Sequence, residues 1–154
     1  MSVRRATPAD LDPIIELLAD DPVSAARGDV AASSDRSAYA AAFEAIRSDA
    51  ANELVVVEDQ AGRIVGTLQL TRIPGLARRG STRLLVEAVR VSSSRRSSGV
   101  GTALMGWVLR QAAASVGADL VQLTSDAQRV DAHRFYERLG FVGSHIGFKY
   151  PVHG

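Results

Sequence analysis

Cysteine is absent from the 154 residues. That excludes disulfides, thiolate metal sites and a cysteine nucleophile, so no covalent intermediate can form on sulfur. Lysine is nearly absent too: Lys149 is the only one, and arginine carries the remaining positive charge. In a chain this rich in Ala and Arg the skew reads as compositional bias, and no arginine is notable merely for being arginine. The net charge of +1 gives no global pull toward nucleic acid or a membrane surface. No apolar run reaches membrane-spanning length. The opening MSVRRATPADLDPIIELLADD has acids where a signal peptide needs an apolar core. A cytoplasmic location is the expectation. His133, His145 and His153 have no partners at ligand spacing, so no metal site is expected. There is no G-x-S-x-G elbow of the kind serine hydrolases use.

What is present is a folding composition. Hydrophobic residues make up 46% and charged residues 23%, and the length suits one domain over residues 1–154. The chain is organised around LLVEAVRVSSSRRSSGVGTALMGWVL, Leu84 to Leu109. An apolar run, Leu84–Val91, predicts a strand. Ser92–Gly99 has no large apolar residue and predicts a turn. A helix then opens on Gly99–Val100–Gly101. The first N–H groups of a helix have no intrahelical partner, and the helix dipole favours negative charge there, so such a start suits an anion.

Around that stretch the pattern predicts further elements. Ser2–Arg5 is a short strand. Thr7–Pro8–Ala9–Asp10 starts a helix, with Thr7 as N-cap, Pro8 at the first helical position and Asp10 reaching back. Leu11, Ile14, Ile15, Leu17 and Leu18 give it an apolar face, and Asp20–Asp21–Pro22 ends it. Val23–Ser34 reads as a surface loop or a substrate-side lid, and the sequence does not rank the two. Asp35–Asp49 is a second helix through Tyr39, Phe43 and Ile46. Leu54–Glu58 and Ile64–Ile73 form a hairpin about Asp59–Gly62. Ser81–Val91, the helix Gly99–Val116, the strand Asp119–Thr124 and the helix Val130–Leu139 follow. Phe141–Val142 and Ile146–Tyr150 read as two closing strands. A strand–helix–strand unit beside a hairpin implies a mixed α/β (α+β) sheet with helices on both faces.

The glycine turn admits several readings. The dinucleotide fingerprint G-x-G-x-x-G fails because Leu104 stands at the third glycine position. The P-loop fails because Thr102–Ala103 follows Gly101 and no lysine is near. What remains is R-x-x-G-x-G, Arg96–Ser97–Ser98–Gly99–Val100–Gly101. It is either an anion cradle or an ordinary tight turn.

This R-x-x-G-x-G, directly after an apolar strand, resembles the acyl-CoA motif of the GNAT superfamily of N-acetyltransferases. Downstream, Ala132–His133–Arg134–Phe135–Tyr136–Glu137–Arg138–Leu139–Gly140–Phe141 looks like that family's A-x-x-F-Y-E-x-x-G-F segment. The opening Arg4–Arg5–Ala6–Thr7–Pro8–Ala9–Asp10 is similar to family N-termini, and the element order matches along nearly the whole chain.

The resemblance implies acetyl-CoA as cosubstrate. Backbone N–H groups of Arg96, Ser97, Ser98, Gly99, Val100, Gly101 and Thr102 would hold its pyrophosphate. The backbone of Val89, Arg90 and Val91 would pair with pantetheine where this strand and Asp119–Thr124 splay apart. Tyr136 would sit near the thioester sulfur and protonate the departing thiolate. Two positions depart from the family pattern: Ser97 stands where many members have Gly, and Arg129 where many have Asn.

With cysteine absent, direct attack by an amine in a ternary complex is the expected route. The acceptor would be a primary amine on a small molecule or peptide. Glu87 is the candidate base. It interrupts a strand expected to be buried on both faces, and burial would make it a better proton acceptor near neutrality. Its structural alternative is a buried ion pair with Arg83 or Arg90. A non-catalytic acyl-CoA-binding or regulatory module on the same fold is the alternative function. The closing strands also offer edges to a second subunit, so a homodimer is an open option.

Overall fold

The computed structural model describes residues 1–153. The chain divides into two compact units, Met1–Gln122 and Leu123–Gly154. In the first unit, strand β1 (Ser2–Arg5) leads through a tight helical turn, Pro8–Asp10, into α1 (Leu11–Ala19). The short helix α2 (Pro22–Ala26) and the longer α3 (Arg36–Ser48) follow. Then come β2 (Asn52–Glu58), β3 (Ile64–Pro74), β4 (Thr82–Val91) and α4 (Val100–Trp107). Helix α4 continues through a wide π-type turn, Val108–Ala112, to a last turn at Ala113–Ser115. Strand β5 (Leu120–Leu123) follows, and the second unit carries α5 (Val130–Arg138).

The five strands form one mixed sheet in the order β1-β2-β3-β4-β5. The first four are antiparallel neighbours. Register assigns the faces, because paired residues point the same way. Arg5, Val55 and Leu68 share one face with Leu70, Val86 and Leu84. Gly66 is on it too, and a Cβ there would lie 3.1 Å from Val100 Cγ1, so α4 packs tightly against this side. Leu104, Met105, Val108 and Ala112 supply the helix's buried stripe. The opposite face carries Val56, packed with Ala6, Leu11, Ile14, Ile15 and Phe43 from the α1 and α3 side.

The N-terminal reading holds in detail. The Asp10 carboxylate accepts from the Thr7 N–H at 2.8 Å and its hydroxyl at 3.1 Å. It also takes two bonds from Arg4, at 2.8 and 3.0 Å, which hold the Asp10 carboxyl below the usual carboxylate range. Gly117 ends the long helix at φ +63.

Three expectations are corrected. Pro22 does not simply end α1. It occupies the first turn of α2, whose N-cap Asp21 accepts from the Ser24 N–H at 2.8 Å, so part of the irregular segment is helical. Glu87 is exposed, not buried on both faces. Its cross-strand partner Gln69 lies at a polar stretch of the sheet face, and an extra residue near Ala88 breaks the ladder there. Phe141–Val142 and Ile146–Tyr150 are in no strand. Val142, Ile146, Phe148, Tyr150 and Val152 stay exposed, and their alternation finds no ladder partner among the described residues.

Candidate active site

Strand β4 and the turn after it are distorted at two non-glycine residues. Ala88 has φ +51 and Ser97 has φ +62. Left-handed backbone costs an ordinary residue about 1–2 kcal/mol and persists where the surroundings enforce it. At Ala88 the cause is a bulge: three steps of β4, from Glu87 to Arg90, oppose the two steps from Gln69 to Thr67 on β3. At Ser97 the conformation that glycine would adopt freely is adopted by serine. Gly99, at φ +87, follows as the N-cap of α4.

The turn is held from outside by two carboxylates. Asp20 accepts from the Ser93 N–H at 2.9 Å and from its hydroxyl at 3.1 Å. The Ser93 N–H holds the Asp20 carboxyl below the usual range. Asp59, in the β2–β3 turn, accepts from Arg95 at 2.8 Å. The backbone N–H of Arg63 is the largest influence keeping the Asp59 carboxyl low. With its flanks so tied, the middle of the turn faces solvent: Arg96, Ser97, Ser98 and Gly99 are all exposed. Among the described residues the N–H groups of Arg96, Ser97 and Gly99 meet no protein acceptor, while that of Ser98 turns back to Arg95 O at 3.2 Å. A Cβ at Gly99 would meet nothing within 4 Å. The result is a shallow cradle of outward N–H groups at the start of a long helix. Its chemistry suits a diphosphate, which carries charge and needs close backbone approach.

The end of β4 is anchored differently. The Arg90 guanidinium bonds the buried Ser24 hydroxyl, lies 3.8 Å from Asp21 and donates to Val89 O at 2.8 Å. Its side chain therefore serves α2, which leaves the expected role of Arg90 to its backbone. Val89, Arg90 and Val91 are half-buried. On the β5 side, the Asp119 N–H bonds Thr82 O at 2.8 Å at the start of β4. Strand β5 has four residues against ten in β4, so it runs out well before Val89.

Glu87 makes no ion pair among the described residues, and neither Arg83 nor Arg90 neutralises it. It stands beside Gln69, whose Nε2 donates to Asn52 Oδ1 at 3.0 Å. Thr71 Oγ1 donates to the same oxygen at 2.6 Å. This polar row and the two carboxylate props were missed from sequence. The signal for the row was present: Gln69 and Thr71 interrupt the apolar run of β3. Nothing in the sequence marked Asp20 or Asp59 as distinct from other turn acids.

In the second unit, the F-Y-E-x-x-G-F segment has a plain structural account. Gly140, at φ +96, donates to Glu137 O at 3.0 Å, and Phe141 donates to Tyr136 O at 3.1 Å. These are the paired bonds of a Schellman helix end, with Tyr136 and Phe141 as its apolar clasp, ring centroids 5.8 Å apart. Phe135 contacts Tyr136 at 5.3 Å. Tyr136 is half-buried, its ring set by both neighbours. His133 has a structural task, with Nε2 2.8 Å from Asp126 O. Ser125 Oγ is buried without a hydrogen-bond partner, and no sequence signal pointed to it.

A cavity of about 330 Å³ lies at the other end of the first unit, between Leu84 at the start of β4 and Ala112–Val116 at the end of the long helix. Trp107 and Arg72 help line it, and none of the turn residues does. Among the described residues no group of acids and histidines is suited to a metal ion, and no helix is long and apolar enough to cross a membrane.

Known proteins share this architecture. A crystal structure described as a transcriptional regulator from Bacillus halodurans C-125 superposes with TM-score 0.92 at 41% identity, over 97% of this chain and 98% of that one. One of a putative acetyltransferase from Agrobacterium tumefaciens str. C58 gives TM-score 0.83 at 25% identity, over 98% and 99%. Aminoalkylphosphonate N-acetyltransferase of Salmonella typhimurium is 35% identical over 63 residues, which is 41% of this chain and 40% of that protein's length. The match therefore spans well under half of that relative. The model of the acetyltransferase (GNAT) family matches residues 12–141, which include both the glycine turn and the Tyr136 segment, and the chain belongs to that family.

Proposed function

We propose that the protein is an acetyl-CoA-dependent N-acetyltransferase that acetylates a primary amine directly, within a ternary complex. The observation that carries the reading is the propped turn that opens the Arg96–Thr102 segment, with the N–H groups of Arg96, Ser97 and Gly99 without a protein acceptor and Ser97 held left-handed at φ +62. Those groups would hold the pyrophosphate, and the β4 edge from Val89 to Val91 would pair with pantetheine. Acetyl-CoA supplies the activated acetyl group.

The chain's own residues would handle two protons. Glu87, exposed beside Gln69, takes the proton lost by the amine, directly or through water, as the C–N bond forms. Tyr136 gives its phenolic proton to the sulfur as the C–S bond breaks. The named activity of the Salmonella relative supports an amine acceptor, and an aminoalkylphosphonate is the first acceptor to try.

Titration calorimetry with acetyl-CoA tests the reading, with saturable binding below millimolar ligand as the expected result. A free-thiol assay with an amine panel should then show turnover. Glu87→Gln and Tyr136→Phe should each lower kcat by roughly 10–10³-fold with cofactor affinity unchanged. No binding sinks the proposal. Binding without turnover on any amine favours the second reading, a regulatory acyl-CoA-binding module, for which the description of the Bacillus relative speaks.

A further inference from the structure

On the sheet face opposite α4, the polar row through Asn52 and Gln69 has a direction that its chemistry fixes. It starts at Asp49, just before β2, whose carboxylate can only accept. Asp49 Oδ2 takes a hydrogen bond from Asn52 Nδ2 at 3.0 Å, and Oδ1 takes one from the Ala51 N–H at 2.8 Å. The Asn52 amide is thereby oriented. Its Oδ1 accepts from Thr71 Oγ1 at 2.6 Å and from Gln69 Nε2 at 3.0 Å. Gln69 is oriented in turn. Reversing the Asn52 amide would set its oxygen against the Asp49 carboxylate, and reversing the Gln69 amide would set its oxygen against Asn52 Oδ1.

The row therefore ends on an oxygen. Gln69 Oε1 meets no protein donor among the described residues. Its direct partner across the β3–β4 ladder is Glu87, and side chains so paired have Cβ atoms about 4.5–5.5 Å apart. Glu87 is exposed, and its carboxylate has nothing to donate to Gln69. Two hydrogen-bond acceptors thus stand side by side with no donor between them. A nitrogen with two hydrogens to give satisfies both.

On the N-acetyltransferase reading, from which this follows, we propose that Gln69 holds the acceptor nitrogen against Glu87 and that the pair selects primary amines. As a primary amine attacks, its lone pair forms the C–N bond and the C–S electron pair leaves on the sulfur. One N–H proton passes to Glu87. The other stays hydrogen-bonded to Gln69 Oε1 and becomes the amide hydrogen of the product. A secondary amine has one hydrogen, which goes to Glu87 and leaves Gln69 Oε1 without a donor. Leaving that acceptor unfilled should cost the secondary amine roughly 5–30-fold. Asn52 and Asp49 touch no substrate and position the Gln69 amide.

One test needs no turnover. The side-chain amide signal of Gln69 is followed by heteronuclear NMR while the full chain is titrated with methylammonium, and with tetramethylammonium, which has no N–H to give. A saturable shift with methylammonium alone, lost in Glu87→Gln, is expected. No shift, or the same shift with both cations, overturns the proposal. The kinetic test compares the best primary amine of the panel with its N-methyl derivative. Gln69→Met should raise the acceptor KM and lower the preference for the primary amine roughly 5–30-fold, with acetyl-CoA affinity unchanged. Asn52→Leu should cost less, and adding it to Gln69→Met should cost nothing more, because Asn52 acts through the Gln69 amide. An unchanged preference, or losses that add, overturns the proposal. A methylammonium response in a protein that acetylates no amine sinks the acetyltransferase reading and leaves the amine site standing. Turnover without a response at Gln69 does the reverse.

Discussion

Two turns of this protein share a composition and differ in their surroundings. The β3–β4 tip, Pro74–Ser81, contains Arg78, Arg79 and Gly80, all left-handed at φ +53, +62 and +80. The β4–α4 turn contains Arg95, Arg96, Ser97 and Gly99, with Ser97 and Gly99 left-handed at φ +62 and +87. Both are rich in arginine and glycine, and both store strain. At the tip, Leu76 is 96% exposed, and Arg78 and Arg79 have no ion-pair partner among the described residues. The second turn is tied to α1 through Asp20 and to the β2–β3 turn through Asp59. Strain alone does not distinguish the two turns. What distinguishes the second is the pair of props that hold its free N–H groups in place.

The largest expected effect comes from blocking backbone approach at one turn. Gly99→Val should weaken acetyl-CoA binding about 10–100-fold, the loss of one or two charge-assisted hydrogen bonds. Calorimetry reads it directly, and Gly80→Val at the tip should leave that affinity unchanged. If both substitutions act alike, the comparison fails.

Removing the props comes next. Asp59→Ala and Asp20→Ala should each weaken the cofactor about 3–30-fold, because a turn free to rearrange must be ordered on binding. Enzymatic acetyl-CoA titrations of both variants would show it, with the acceptor KM as the control that should not move.

Acid sharpens the same point. The carboxyls of Asp10, Asp20 and Asp59 are all held low in the folded protein, chiefly by Arg4, the Ser93 N–H and the Arg63 N–H respectively. A lowered folded value means that each contributes stability in full above the unfolded value of about 4, and loses it as pH falls through the folded value. Thermal melts should therefore be flat from neutrality to about pH 5 and decline below about pH 4. Asp20→Asn combined with Asp59→Asn should flatten part of that decline.

The smallest effect concerns strain. Ser97→Gly, Arg78→Gly and Arg79→Gly should each change stability by at most about 1 kcal/mol, since relief of left-handed strain is offset by a freer unfolded chain. Denaturant unfolding would report similar values for all three. Only Ser97→Gly should also alter cofactor affinity.

Much of the fold was legible because local rules govern it. Thr7, Pro8 and Asp10 marked the start of the first helical segment by cap chemistry. Leu104, Val108 and Ala112 marked the buried face of α4 by period, and Gly117 its end. The turn of the candidate site was legible as backbone: Ser92–Gly99 was expected as a turn, and the departure at Ser97 does fall at a left-handed residue. Glu87 was misjudged because period two says which face a residue takes, and says nothing of whether a helix covers that face. Pro22 was misjudged because proline that ends one helix is equally suited to start the next.

By itself, the sequence determined the order of the strands and the longer helices up to Arg138, the chemistry excluded by the missing cysteines and the glycine turn that follows β4. These depend on neighbours within a few residues, so they are written locally. Only the tertiary structure decided that Asp20 and Asp59 prop that turn, that Arg90 is spent on Ser24 and Asp21, and that Glu87 stands in the open beside Gln69. Each of those joins residues far apart in the chain, and such contacts exist only once the sheet has brought its strands together.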